Sequence, residues 1–226
     1  MASELIRIRA MVWKDLTAER RTKANFNAVA FLAGAILLLF GFALGPDVEA
    51  LHAAAGGMIW LTVLFSGVLS FNRSYEKELE GGALEALLLY PGDRRSIYLG
   101  KLIANFAFVL LVEAILLPAA AVLYDLPLHT VVLPLAGVLL LGTFGFVTLG
   151  TFYAAMASRL RAREVLLPLL LFPMLIPLLV ACVEATQAIL DGNAMGFAGS
   201  WMKLLVVFDV VFFVAAYFAF DYVIEA

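Results

Sequence analysis

Four carboxylic acids fall inside or at the edges of long apolar segments, where ionisable side chains are rare: Glu113, Glu184, Asp209 and Asp221. A carboxylate at the centre of a bilayer costs about 3 kcal/mol on insertion scales, so Glu113, in the middle of its segment, needs a role. For Glu113 and Glu184 two interpretations stay open: a polar cavity or proton pathway, or hydrogen-bonded carboxyls at helix contacts. Asp209 is predicted to lie within two turns of one membrane surface and Asp221 at the other, which favours the second interpretation for both.

The longest polar stretch between apolar segments, residues 72–96, predicts a cytoplasmic element. Glu76 and Glu80 are four residues apart, so they share one face of a predicted helical extension of the preceding span. Gly81 and Gly82 follow and are predicted to end that helix.

A short amphipathic helix is predicted after this break. Leu84 and Leu88 lie on its apolar stripe, Glu85 lies on its polar side, and Pro91 turns the chain. Such a helix under the membrane suits a groove on a soluble partner. An interfacial helix that only connects two spans explains the pattern equally well.

Three prolines, Pro168, Pro173 and Pro177, lie in one apolar segment. Each removes a backbone hydrogen bond, so the segment is predicted to be bent or broken, as gating helices often are. Ordinary bundle packing is the favoured alternative. The preceding segment contains small residues that allow close helix contact: Gly137, Gly142, Gly145 and Gly150.

Motifs for catalysis and nucleotide binding are absent from the sequence. It has no G-x-x-x-x-G-K-[ST] loop, no H-E-x-x-H and no C-x-x-C. The single cysteine, Cys182, excludes a thiolate cluster. His52, predicted in a short loop, and His129 are too weak a signal to predict a metal site. If this protein does energised work, we therefore expect something else to supply the energy.

The 226 residues are 64% hydrophobic and 15% charged, which excludes a soluble globule and makes a nucleic-acid binder improbable on composition alone. The predicted fold is an all-α polytopic membrane protein with a single domain, residues 1–226, and no separate catalytic domain. Hydropathy predicts six spans, over residues 26–44, 56–71, 97–126, 130–157, 165–189 and 204–223.

Residues 1–25 predict an amphipathic helix in the membrane interface, with a solvated tail as the alternative. Leu5, Ile8, Val12 and Leu16 recur at helical spacing, and basic residues occupy the remainder. Of the 15 lysines and arginines only Lys203 falls on the second side of the predicted topology. The positive-inside rule therefore places both termini in the cytoplasm.

Several of these segments resemble permease subunits of ABC exporters and, more narrowly, the CcmB family of haem exporter proteins. The resemblance is carried by Gly57–Trp60, Glu76–Glu85, Leu87–Pro91, Gly100-Lys101, the glycine-rich stretch Leu141–Gly150 and the proline-rich stretch Phe172–Leu179. It covers nearly the whole chain, including its length and six-span layout.

The resemblance implies a homodimeric permease of six transmembrane helices in the bacterial inner membrane. Its implied partners are a CcmA-like ATP-binding subunit that carries ATP and Mg²⁺, CcmC-like and CcmD-like membrane proteins, and a CcmE-like periplasmic haem chaperone. Haem belongs to the complex, and ATP hydrolysis serves to release the loaded chaperone. Residues 76–91 become the element that couples to the ATPase, and residues 1–25 the elbow helix.

Two other functions fit the residues. One is an exporter permease for a lipid, drug or polysaccharide. The other is a proton-coupled secondary transporter that uses Glu113 and Glu184 as proton sites. The second would be favoured by an internal repeat, and the sequence shows none.

Overall fold

The structure, a computed structural model, describes residues 2–80, 93–158, 163–193 and 196–225. These residues form seven helices and no strand. The helices are α1 (Ala2–Thr22), α2 (Ala24–Leu44), α3 (Val48–Glu80), α4 (Arg95–Tyr124), α5 (Leu128–Ser158), α6 (Arg163–Leu190) and α7 (Phe197–Glu225).

Six of these helices, α2 to α7, are long and apolar enough to cross a membrane. The predicted all-α polytopic fold is thereby confirmed. The second span is much longer than the predicted 56–71, because α3 begins at Val48. Asp47 starts it by accepting a hydrogen bond from the Ala50 N–H at 3.1 Å. The prediction that His52 lies in a loop is therefore wrong, since His52 is within α3.

The first helix packs on the bundle through a close contact with α4. Met11 of α1 is buried, and a Cβ built on Gly100 would lie 2.7 Å from the Met11 Cβ, so only glycine permits this approach. Lys23, with φ of 51°, turns the chain into α2. The Phe26 N–H donates to Glu19 at 2.8 Å and ties the two helices together. Residues 2–22 are thus helical and docked, while their place in the membrane interface stays a prediction.

One end of the bundle, where α2 and α4 begin and α3 ends, is called here the basic end. Its helices are joined by polar side chains: Arg73 donates to the Ala24 carbonyl at 3.3 Å, and Asn25 donates to Ser70 at 3.2 Å. At the opposite end, His52 Nε2 is 2.9 Å from the Asp125 carbonyl.

Helix α5 packs against four other helices, α3, α4, α6 and α7. Its glycines lie where large side chains of neighbouring helices reach its backbone. A Cβ on Gly142 would overlap Trp60 and Cys182, and one on Gly150 would overlap the ring of Phe71. The expected close helix contacts are therefore present, because a missing side chain leaves room for an aromatic ring.

Helix α6 continues without interruption through Pro168, Pro173 and Pro177. Pro173 and Pro177 lie on its exposed face, whereas Leu171 and Leu175 point into the core. Two of the three prolines thus face away from the bundle core, and Pro168 is partly buried. The span is not broken, and a gating role for these prolines stays a prediction.

Gly150→Ala is expected to lower the thermal unfolding midpoint of the detergent-purified protein, because the new methyl group would displace the Phe71 ring. Overpacking of this kind costs about 1–3 kcal/mol. Gly34→Ala in α2 is the matched control, since nothing lies within 4 Å of its added Cβ. Equal midpoints for the two variants would contradict the packing described for α5.

Candidate functional site

Glu113 of α4 lies deep in the bundle, with 2% of its surface exposed. Thr143 of α5 donates its hydroxyl hydrogen to Glu113 Oε1. The other carboxyl oxygen, Oε2, is buried and has no hydrogen-bond partner among the described residues. Glu113 therefore joins α4 to α5 through one hydrogen bond and keeps one acceptor unused.

Asp209 of α7 is a second buried carboxyl, 5% exposed. Helix α7 begins at Phe197 rather than near residue 204, so Asp209 is about 18 Å along the helix from its start. Its distance from the membrane surface stays a prediction. A Cβ on Gly145 would overlap its Oδ1, and neither carboxyl oxygen has a hydrogen-bond partner in the described part of the chain.

These two carboxyls meet the same turn of α5, residues 142–145, from two different helices. The same turn also contacts Cys182 of α6 through Gly142. Such groups can accept hydrogen bonds or bind protons. Within the described residues, no three His, Cys, Asp or Glu side chains converge as they would to hold a metal ion.

Glu184 is not part of this cluster. Its side chain is exposed on the outer face of α6, while its neighbours Cys182 and Ala185 are fully buried. Glu113 faces the interior instead, so the two carboxyls do not face a common surface. Asp209 is the second interior carboxyl, and no sequence pattern indicated that its side chain faces the bundle interior.

Helix α3 is linked to α6 near the end opposite to the basic end. Trp60 Nε1 donates to Thr186 at 2.9 Å, and both side chains are buried. Gln187 accepts a hydrogen bond from the Gly56 N–H at 3.3 Å and donates to the His52 carbonyl at 3.0 Å. A Cβ on Gly56 would lie 2.9 Å from the Val183 carbonyl oxygen, so the two backbones nearly touch.

At the basic end, α3 is held by a buried lysine. Lys101 of α4 is 1% exposed and forms an ion pair with Asp15 of α1 at 3.0 Å. Its ammonium also donates to the Ser74 carbonyl at 2.9 Å and lies 5.3 Å from the centre of the Tyr75 ring. One side chain thus joins α1, α3 and α4.

The role of Lys101 could not be derived from the sequence, which shows only a basic residue early in an apolar segment. The partner of Asp221 was missed as well. Arg95 donates to Asp221 at 2.8 Å and packs over the Tyr217 ring. In both pairs the partners are separated by many residues along the chain, so no local spacing predicts them.

The predicted coupling segment is described only in part. Glu76 and Glu80 belong to α3, which is continuous from Val48 to Glu80. At 33 residues α3 is about 50 Å long, which is longer than the roughly 30 Å needed to cross a bilayer core. The remaining predicted coupling residues lie outside the described residues: Gly81, Gly82, Leu84, Glu85, Leu88 and Pro91.

Comparison with known proteins agrees with the resemblance noted in the sequence. The family described as "CcmB protein" matches residues 6–226. Heme exporter protein B of Pseudomonas aeruginosa is 31% identical over 173 residues, which cover 76% of this chain and 77% of that protein. Heme exporter protein B of Rhodobacter capsulatus is 31% identical over 188 residues, covering 83% and 86%. The protein of the same name from Haemophilus influenzae is 33% identical over 178 residues, covering 79% and 80%.

Lys101→Met is expected to destabilise the basic end strongly, because it removes one partner of a buried ion pair. Removing one partner of a buried ion pair lowers the free energy of unfolding by about 3–5 kcal/mol. Asp221→Asn is the comparison, since the Arg95–Asp221 side chains are 29% and 31% exposed and such pairs contribute about 1 kcal/mol or less. Thermal unfolding in detergent and protease cleavage between α1 and α2 measure the difference. If Lys101→Met lowered the unfolding midpoint no more than Asp221→Asn does, Lys101 would not be the residue that holds α1, α3 and α4 together.

Glu113→Gln is expected to retain wild-type stability, because the glutamine oxygen can accept the same hydrogen bond from Thr143. Glu113→Ala is expected to lower the unfolding midpoint, since it leaves a cavity and removes the acceptor. The unfolding midpoint alone does not distinguish this structural role from a proton site. If Glu113 were a proton site essential for transport, Glu113→Gln would abolish transport activity while the unfolding midpoint stayed unchanged.

Proposed function

Because the chain belongs to the CcmB protein family, we propose that it is the membrane permease subunit of an ABC transporter complex for cytochrome c maturation. The relatives at about 31% identity are named heme exporter protein B, so haem is the proposed cargo of the complex. The chain carries no nucleotide-binding loop. Its proposed role is therefore mechanical, and ATP with Mg²⁺ binds to a partner subunit.

The continuous helix α3 is the observation that carries this proposal. It runs from the far end of the bundle to Glu80 and so includes the first residues of the segment 76–91 that is proposed to contact the ATPase. A straight run of backbone hydrogen bonds transmits displacement better than a loop would. Movement of residues 76–91 on an ATPase therefore moves the transmembrane part of α3.

The contacts of α3 support a path for that movement. Near Glu80 it is held by Lys101 of α4 and by Asn25 of α2. At the far end it is bonded to Thr186 and Gln187 of the proline-containing helix α6. Closure of the ATPase would thus reach α2 and α6 through α3, with Pro168, Pro173 and Pro177 allowing α6 to bend.

The proposed complex contains two copies of this chain and two copies of a CcmA-like ATPase, together with CcmC-like and CcmD-like membrane proteins. ATP hydrolysis serves the release of a CcmE-like periplasmic chaperone after it has received haem. The complex lies in the bacterial inner membrane, and both termini of this chain face the cytoplasm, as the distribution of lysine and arginine favours. No haem ligand is assigned to this chain.

Affinity purification of the tagged chain from its native membrane in mild detergent, with partners identified by mass spectrometry, tests this function. Recovery of an ATP-binding subunit with a haem-handling membrane protein is the expected result. An ATPase without haem proteins would keep the exporter role and replace the cargo by a lipid, drug or polysaccharide. Absence of any ATPase would overturn the proposal in favour of a proton-coupled transporter.

Leu84→Asp and Glu85→Lys are each expected to abolish recovery of the ATPase or its coupling to cytochrome c production. The first places a charge on the apolar stripe of the predicted coupling helix, and the second reverses the charge beside it. Membrane insertion should be unchanged, because neither residue lies in a span. Glu49→Lys is the matched control, since Glu49 is exposed at the other end of α3. Wild-type ATPase recovery and cytochrome c production in both variants would rule out this coupling element.

A further inference from the structure

A polar cleft of about 270 Å³ lies at the basic end, between the C-terminal half of α1 and the ends of α2, α3 and α4. It is lined by charged and amide side chains from all four helices, together with small and apolar ones. The side chains that matter for its chemistry are Lys14, Asp15, Glu19, Asn25, Arg73 and Lys101.

The two carboxylates of the cleft are already engaged by neighbouring groups. Asp15 is 3.0 Å from Lys101 and 3.3 Å from Lys14. Glu19 accepts the Phe26 N–H at 2.8 Å. With Arg73 as the third cation, the described residues of the lining hold three positive and two negative charges, so this part of the cleft keeps one net positive charge.

Arg73 carries that excess in a form suited to an anion. A guanidinium has five N–H donors in a planar fork that matches phosphate oxygens. In the described part of the chain Arg73 uses one of them, on the Ala24 carbonyl at 3.3 Å. The other donors on its fork remain for a ligand in the cleft.

Asn25, which also lines the cleft, is a second and independent observation that favours a ligand there. It is 7% exposed, its amide nitrogen donates to Ser70 at 3.2 Å, and its Oδ1 has no partner among the described residues. Because the Ser70 hydroxyl can also donate, the amide can turn over and present its N–H₂ group to the cleft. Arg73 and Asn25 together then offer donors from α3 and α2 to one anionic group.

We propose that this cleft binds the phosphate of an anionic phospholipid from the membrane leaflet at the basic end. The cleft lies where α2 and α4 begin, which the proposed orientation places on the cytoplasmic side, where basic pockets between transmembrane helices bind anionic headgroups. A phosphodiester carries one negative charge, which balances the single excess positive charge. Phosphatidylglycerol is therefore favoured over phosphatidylethanolamine, whose ammonium restores the imbalance. This site does not depend on the proposed transport function.

Native mass spectrometry of the delipidated, detergent-purified chain, titrated with phosphatidylglycerol and phosphatidylethanolamine, tests the proposal. The wild type is expected to bind one phosphatidylglycerol at least several-fold more tightly than phosphatidylethanolamine. Arg73→Gln is expected to weaken phosphatidylglycerol binding about tenfold, as the loss of one charge-assisted contact implies. Phosphatidylglycerol should also raise the unfolding midpoint of the wild type and leave that of Arg73→Gln nearly unchanged.

Arg20→Gln is the matched control, because it removes one exposed positive charge of α1 outside the cleft. It should bind phosphatidylglycerol like the wild type. If Arg73→Gln fails to fold, Lys14→Gln at the cleft provides the same test, since its side chain is 46% exposed. Equal weakening by Arg20→Gln would mean attraction to the basic surface as a whole and would overturn the proposal. So would unchanged binding in the cleft variants, or equal binding of the two lipids by the wild type.

Discussion

Close contact between α5 and its four neighbours is the constraint on which the arrangement of the other helices depends. Apolar side chains gain little by leaving lipid for a helix contact, so packing and polar contacts must hold the bundle together. Glycines on α5 supply that packing: Trp60 and Phe71 of α3 reach its backbone at Gly142 and Gly150. The same close approach brings the carboxyls of α4 and α7 against one turn of α5. The interior polar cluster is thus a consequence of the glycine face.

Helix α3 lies against this face and is held at both ends by polar bonds. Hydrogen bonds to Thr186 and Gln187 join it to α6, and the Lys101 ammonium joins its other end to α1 and α4. Between these ties it is one unbroken helix. A continuous helix anchored at two levels suits the mechanical role proposed for this chain.

Polar side chains are arranged differently at the basic end and in the interior of the bundle. At the basic end, cations and carboxylates are paired across helices, as Lys101 with Asp15 and Arg95 with Asp221. In the interior the carboxyls of Glu113 and Asp209 meet no cation among the described residues, and only Glu113 accepts a hydrogen bond there. The buried Lys101 ammonium is compensated for its lost water by the Asp15 carboxylate and the Ser74 carbonyl, and the partly exposed Arg95 keeps part of its hydration. A charged side chain buried without such a partner would be costly.

The sequence by itself determined the all-α class, the six long apolar segments and the family, because these depend on composition and motifs along the chain and not on contacts between helices. It placed His52 in a loop and began the last helix too late, since apolar stretches do not show where a helix gains extra turns beyond the hydrophobic run. Only the tertiary structure decided that Glu113 faces inward, Glu184 faces outward and Lys101 is buried. The reason is that these spans are apolar on nearly all sides, so their sequences lack the periodicity that marks an inward-facing side. Which side chains face the interior is therefore decided by how neighbouring helices pack.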